Sequence, residues 1–415
     1  MALASGIERA DEIIRTLSTP PFPHDPYPLY AELRDLAPVY QSESGMWFAS
    51  SYEAAATVLR STAFGQGEGA RMISQDPRYE HSAVLQALGQ MITFVDPPDH
   101  TRLRRLVSRV FSPRVINRLR EYVAQVVDDL LDPIANDGGG DLITGFADHI
   151  PVTVVCHLLG VPQNDHAQCR AWSEEVGLSV EPGVSDEQMK RADRAQLEYD
   201  AYFLALADEK RVHPADDVMT LLTQAEDAGD KLSEQELVSM ATEIIGAGSE
   251  TTRNLIGSGI LALLRNPDEL AQLRSNPELD RSAVEEFLRY EAPVQTAVPR
   301  FILQDVELEG VKLSEGAMIG AMIGAANRDP KRFDEPDRLD LDRPDNLALT
   351  FAPGIHHCLG ASVARLEGQL AIGTLVRRFP VIDLLDDDPP MREACDLGPN
   401  PRGPTSLPVT LGSSR

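Results

Sequence analysis

From Ser233 to Pro267 the sequence carries one long helical pattern. Leu237, Met240, Ala241, Ile244, Ile245, Leu255, Ile256, Ile260 and Leu264 recur along it, Ser233 and Glu236 can form a capping box, and Pro267 stops the run. About thirty residues rising 1.5 Å each span roughly 45–50 Å, enough to cross a domain. A helix that long and that apolar is expected to be core, and the remaining chain has to pack round it.

In the middle of this run stands Ala247-Gly248-Ser249-Glu250-Thr251-Thr252, which is poor helix material. Gly248 thins the wall of the helix. Thr251 can donate back to the carbonyl of Ala247 one turn earlier, which predicts a local opening of the ladder. Glu250 and Thr251 set a carboxyl beside an alcohol, a pair suited to passing protons. A kink with a chance polar patch is the plainer reading.

A second stretch, Phe351-Ala352-Pro353-Gly354-Ile355-His356-His357-Cys358-Leu359-Gly360, precedes the helical pattern of Ala361, Val363, Ala364, Leu366 and Leu370. A helix N-terminus carries unpaired N–H groups and partial positive charge, so it favours a thiolate at Cys358 over a thiol. Gly354 and Gly360 let the backbone turn sharply and come close to something flat. Taken alone, such a cysteine also reads as a structural residue beside a turn.

Elsewhere the helix that follows Asp96-Pro97-Pro98-Asp99 puts His100 and Arg104 on one face, beside Leu103, Leu106, Val107 and Val110. Two donor groups leaning over apolar surface need an anion, unless their long side chains snorkel to water. Arg102, Arg105 and Arg109 fall on the opposite side, and by default such charge is a solvated face. Glu286 and Arg289 stand three apart on the helix expected over 280–289 and can pair. Hairpins are expected around Ser44-Gly45 and Glu309-Gly310. Residues 1–25 read as a loosely held arm.

Length alone, 415 residues, would allow two or three domains, but no linker, repeat or low-complexity tract divides the chain. The net charge of −27 argues against nucleic acid and anionic membrane surfaces as general partners. Cys156, Cys169, Cys358 and Cys395 show neither a Cys-x-x-Cys pair nor zinc-type spacing, and free thiols fit a reducing compartment. No apolar span of membrane length and no signal-like start is visible, so no membrane anchor and a cytoplasmic location are expected.

Together these motifs resemble the cytochrome P450 family. Phe351, Gly354, His356, Cys358 and Gly360 are similar to its haem loop, Ala247-Gly248-x-Glu250-Thr251 to its Ala/Gly-Gly-x-Asp/Glu-Thr pattern, and Glu286-x-x-Arg289 to its structural pair, for which Arg343 is a candidate third member. His100-Thr101-Arg102-Leu103-Arg104-Arg105 is similar to its propionate-clamping helix. The resemblance runs from about Tyr27 to the end of the chain and looks like the soluble bacterial type, without the anchor of microsomal members. It implies a mainly α fold with small β-sheets. Residues 26–415 would form one triangular haem domain with the long helix over the cofactor, and a monomer is expected.

The cofactor implied is haem b, iron protoporphyrin IX, with Cys358 on the iron and His100, Arg104, Arg300 and His356 on the propionates. Ala247, Gly248, Phe351 and Gly360 would lie beside it, and Glu250 and Thr251 would relay protons to dioxygen. Ala352 stands where the family most often has Gly; an ordinary φ is expected there, with a slightly different start to the loop. Ile244, Thr296, Ala297 and Val298 would line the substrate pocket by analogy, as would Met91 and Ile92, for which ordinary loop packing stays open. The implied reaction inserts one oxygen atom into a C–H or C=C bond of a lipophilic compound such as a fatty acid, terpenoid, steroid or polyketide. Electrons would come from NAD(P)H through a ferredoxin reductase and an acidic ferredoxin docking on Arg102, Arg105 and Arg109. A peroxide-using peroxygenase of the same fold is an alternative, against which the Glu250-Thr251 pair counts. A non-catalytic haem sensor or carrier is another.

Overall fold

A computed structural model describes residues 2–19, 22–108, 110–180, 184–227, 230–391 and 401–412. Helices dominate and the sheets are small. Contacts gather in two compact units. The first comprises Met1–Gly65, Ala124–His149 and Thr251–Arg415, and the second Gln66–Val123 and Ile150–Glu250.

The long helix runs Glu234–Arg265. Its capping box forms as expected: the Ser233 amide donates to Glu236 Oε2 at 2.8 Å, and the Glu236 amide to Ser233 Oγ at 3.2 Å. Leu237, Met240, Ala241, Ile245, Leu255, Ile256 and Ile260 are buried. Residues 247–252, where an opening of the ladder is expected, remain α-helical. Buried Ile245 on one side and Thr252, Leu255 and Ile256 on the other hold both flanks in register. Ser249 Oγ donates to the Ile245 carbonyl at 2.6 Å without interrupting the ladder.

The first unit is built on a five-stranded sheet in the order Val39–Gln41, Trp47–Ala49, Met318–Ala321, Arg300–Ile302, Phe64–Gly65. The first two strands are the antiparallel hairpin expected around Ser44-Gly45, whose turn uses Gly45 at φ 85. The next pairing, Ile319 with Trp47 through Ala321 with Ala49, is parallel. Val39, Ala49, Ile302, Ile319 and Ala321 pack with Ala54, Ala55 and Val58 of the helix Tyr52–Arg60. The hairpin at Glu309-Gly310 also forms, pairing Val306–Leu308 with Val311–Leu313.

The N-terminal residues are not a loose arm. Ala2–Ser18 is a helix, and Ala10, Ile13, Ile14 and Leu17 are buried against Tyr27, Tyr30 and Leu33. Their spacing is that of one helical face, which the intervening charges of Arg9, Asp11, Glu12 and Arg15 disguise. Arg9 clamps the helix further, donating from Nε and Nη2 to Glu32, each at 2.7 Å.

The second unit is helical. Asp186–Val212 is its longest complete element, capped by Ser185 with Gln188. It packs on His166–Gly177 through Trp172, Tyr199, Tyr202 and Phe203, with ring centroids 5.0–5.5 Å apart. Cys156 and Cys169 are fully buried here as free thiols, in keeping with a core role.

Candidate active site

The Cys358 loop belongs to the first unit, immediately before the helix Ala361–Arg378. The Cys358 amide donates to the Phe351 carbonyl at 2.9 Å and the His357 amide to the Gly354 carbonyl at 3.1 Å. His357 Nδ1 lies 3.0 and 2.9 Å from the carbonyls of Phe351 and Ala352. Gly354 sits at φ 97, and a Cβ there would stand 2.5 Å from the Leu59 carbonyl oxygen, so only glycine fits.

Ala352 corrects one expectation: it does not take an ordinary φ but φ 49, the left-handed region. Its amide donates to the Leu349 carbonyl at 2.8 Å while its own carbonyl meets the His357 ring, and these contacts fix the turn from both sides. The alanine therefore adopts a glycine-type conformation at a cost of about 1–2 kcal/mol.

Cys358 is exposed and in no disulfide. Beyond it the Gly360 carbonyl accepts from the amides of Val363 and Ala364 at 2.9 and 3.0 Å, starting the helix. A Cβ on Gly360 would meet nothing within 4 Å, so space beside the thiol is open. The Phe351 ring lies 4.4 Å from the Arg365 guanidinium, which Glu285 holds in turn.

The Glu286–Arg289 pair forms and is completely buried, as a fork with Nε–Oε2 2.8 Å and Nη2–Oε1 2.7 Å. Arg343 is its third member, with Nε 3.2 Å from both Glu286 oxygens. Asn346 Nδ2 and the Asp340 amide also donate to Glu286, at 3.0 and 2.9 Å. Arg289 extends to the carbonyls of Asn327, Pro336 and Arg338 at 3.0, 2.7 and 3.1 Å. One ion cluster thus ties the helix Asp280–Tyr290 to the chain leading into the cysteine loop.

Also in the first unit, Arg300 is buried on its strand and Thr296 is buried against Gly320. Ala297 is half-buried at the edge of the apolar cluster, Val298 is exposed, and His356 is half-buried.

In the second unit His100 is buried on the helix Asp99–Val107, among Leu103, Leu106 and Val107 as predicted. Arg104 is half-buried, and its charge acts on Glu243. Glu243 is the residue that sequence reasoning missed. Its carboxylate accepts the amides of Ile92 and Thr93 at 3.0 and 3.2 Å and the Thr93 hydroxyl, pinning the predicted pocket loop to the long helix. Burial pushes this carboxyl above its ordinary value, an effect that Thr93, the two amides and Arg104 oppose. The available signal was an acidic residue inside an otherwise apolar stripe. Ile92 is buried, while Met91 and Ile244 are half-buried.

Two further expectations change here. Arg102 is not a free docking cation, because it pairs with Glu236 and lies 3.5 Å from Asp230. Helix Asp99–Val107 is short enough for its outer arginine to reach acidic groups at the start of the long helix. Arg105 is exposed, and Arg109 lies outside the described residues. Gly248 does more than thin the wall, since a Cβ there would come 3.1 Å from Val155 Cγ2 on the helix His149–Leu158. Glu250 and Thr251 are half-buried neighbours in the long helix, whereas Gly246 and Ala247 one turn earlier are exposed.

These features fit a haem on their chemistry. An exposed cysteine sits just before a helix start, a position that favours thiolate. Arg300 and His100 are buried side chains of the donor type that binds carboxylates. A helix buried along both halves exposes its middle turn, Gly246-Ala247.

The family model for Cytochrome P450 matches residues 187–405. The chain is 38% identical over 397 residues to the vitamin D(3) 25-hydroxylase of Pseudonocardia autotrophica, covering 94% of this chain and 95% of that one. It is 39% identical over 388 residues to the mycinamicin IV hydroxylase/epoxidase of Micromonospora griseorubida, covering 92% and 94%. Among solved structures, P450BioI in complex with hexadec-9Z-enoic acid ligated acyl carrier protein superposes with a TM-score of 0.86 at 32% identity, over 97% of this chain and 100% of that one.

Proposed function

The chain belongs to the cytochrome P450 family, and we propose that it is a monooxygenase that hydroxylates or epoxidises a lipophilic small molecule, with haem b held through Cys358. The observation that carries this reading is the exposed Cys358 side chain, in no disulfide, at a helix start and in a loop whose Gly354 admits no side chain. When bound, the haem supplies the activation of dioxygen and the transfer of one oxygen atom, the other leaving as water.

The chain's own residues do the rest. Cys358, as thiolate, holds the iron and donates electron density to it. His100, Arg104, Arg300 and His356 bind the propionates, and Ala247, Gly248, Phe351 and Gly360 border the ring. Glu250 and Thr251 hold and pass protons along the long helix. Met91, Ile92, Ile244, Thr296, Ala297 and Val298 border the substrate, with Glu243 holding the Ile92–Thr93 loop in place. Residues 26–415 act as one haem domain.

The relatives named for vitamin D(3) and mycinamicin IV support a large lipophilic substrate. Electrons arrive from NAD(P)H through a ferredoxin reductase and a ferredoxin, for which exposed Arg105 offers a positive contact in a chain of net charge −27. Among the described residues no helix is long and apolar enough to cross a membrane, and we place the protein in the cytoplasm.

The test is spectroscopic. Reduced holoprotein treated with carbon monoxide should show the strongly red-shifted band of thiolate-ligated haem, and Cys358→His should abolish it. A folded wild-type holoprotein without that band overturns the assignment. A library of lipophilic compounds, scanned for the low-to-high spin shift, then identifies the substrate class.

A further inference from the structure

A cavity of about 160 Å³ lies wholly within the first unit and apart from the Cys358 loop in its lining. Its wall carries three arginines, Arg265, Arg328 and Arg402, together with Ser258, His24 and Asn266. Such a concentration of cationic groups is out of character for a chain of net charge −27.

The arrangement is built. Arg328 is held between two rings, its guanidinium carbon 3.5 Å from the Tyr27 centroid and 4.0 Å from that of Tyr290, and it donates to the Tyr290 carbonyl at 2.7 Å. Arg402 donates to Glu291 Oε2 at 2.6 Å and to the His24 carbonyl at 2.8 Å. Both arginines are about nine-tenths buried. Arg265 is less covered, donates to the Asp387 carbonyl at 3.0 Å and lies 3.8 Å from the exposed Asp388 carboxylate.

Two carboxylates, Asp25 and Glu291, line the cavity and are already engaged, while the exposed Asp337 and Asp388 outside the lining lie 3.2 Å from Arg328 and 3.8 Å from Arg265. Glu291 accepts from Arg402 and from the Tyr27 hydroxyl at 3.3 Å, and lies 3.7 Å from Arg328. Asp25 accepts the Tyr27 amide at 3.0 Å. Donors are in excess, because each guanidinium offers five N–H groups. Ser258 supplies the independent observation: it is 3% exposed, it lines the cavity, and its hydroxyl has no hydrogen-bond partner among the described residues. A buried hydroxyl left unsatisfied is costly, so a ligand that engages it gains by doing so.

We propose that this cavity is a binding site for a compact tetrahedral oxyanion, a phosphate group, held by Arg265, Arg328, Arg402 and Ser258. A cavity near 150 Å³ accommodates a benzene-sized ligand, so about 160 Å³ is ample for the five heavy atoms of phosphate. Neighbouring guanidiniums match phosphate oxygens in charge and geometry.

The test uses the haem-loaded full-length protein and inorganic phosphate, with ionic strength held constant by chloride. Phosphate should raise the unfolding temperature saturably, as binding to the native state alone requires. Arg265→Gln should move the midpoint concentration about tenfold upward, the loss expected for one charge-assisted hydrogen bond, and Ser258→Ala should move it severalfold. The carbon monoxide band checks that both variants remain folded and loaded. Glycerol 3-phosphate in place of phosphate separates a free ion from a phosphate monoester, and saturable, variant-sensitive binding of either supports the site. No saturable shift beyond chloride, an equal response to acetate, or an unchanged midpoint in both variants overturns the proposal.

Discussion

Two positions two residues apart in the cysteine loop should respond oppositely to exchange between glycine and alanine. Ala352 sits at φ 49, and removing its Cβ releases about 1–2 kcal/mol of left-handed strain. Against this stand about 0.4–1 kcal/mol of added freedom in the unfolded chain and roughly 0.4 kcal/mol for a half-buried methyl group. Ala352→Gly should therefore stabilise by about 0.5 kcal/mol. Gly354 sits at φ 97 with backbone in the way, the Leu59 carbonyl oxygen only 2.5 Å from a built Cβ. A flexible side chain could move aside, but this carbonyl belongs to the helix Tyr52–Arg60. Backbone strain of about 1–3 kcal/mol and overpacking of a similar size put the cost of Gly354→Ala at roughly 2–5 kcal/mol. Urea unfolding of the haem-loaded protein, followed by far-ultraviolet circular dichroism, gives both values from midpoints at constant slope. The reasoning is refuted if Ala352→Gly destabilises by more than about 1 kcal/mol, or if Gly354→Ala is neutral.

Other positions give equally definite expectations. Glu286→Gln places an amide donor among the donors of Arg289, Arg343 and Asn346, and should cost about 3–5 kcal/mol with early haem loss; a loss under 1 kcal/mol in urea unfolding contradicts the cluster's role. Glu367 is buried on the helix Ala361–Arg378 with neither carboxyl oxygen partnered among the described residues, and burial pushes it up from 4.5 to about 8. The folded state then binds its proton more tightly than the unfolded chain, so this group's contribution weakens as pH rises from about 4.5 to 8. The loss is on the order of 3–5 kcal/mol. Glu367→Gln should remove that slope and stabilise the protein at pH 8; identical stability–pH curves for the two proteins would count against a buried neutral carboxyl.

Features governed by local spacing were legible in the sequence. The capping box at Ser233 and Glu236, the turns at Gly45 and Gly310, and the Glu286–Arg289 pair each follow from residues whose chemistry leaves few alternatives, whereas Arg343, 57 positions from Glu286, is reached only through the family resemblance. Features decided by partners distant in sequence were not. Glu243 engages Ile92 and Thr93 some 150 positions away, and Arg102 pairs with Glu236 across more than 130. Neither pairing leaves a periodic trace. The N-terminal helix was hidden for a different reason, because its charged residues interrupt an apolar face that is regular only at helical spacing. Ala352 shows a third limit: residue type predicts a preferred φ, and hydrogen bonds on both sides of the turn override it.

The parallel pairing of Trp47–Ala49 with Ile319–Ala321 bears on how the protein is made. A strand emerging early from the ribosome has its neighbour about 270 residues downstream. At roughly 5–20 residues per second, that neighbour follows some 15–50 s later. Until then the Trp47–Ala49 edge of the hairpin stays unpaired and its apolar side chains lack the returning strand they will later pack against. Contacts this remote also carry a loop-closure penalty before any compensation, so closing this sheet should be a late and slow event in biogenesis. Short strands of three and four residues limit the hazard, because they offer little edge to a second nascent chain.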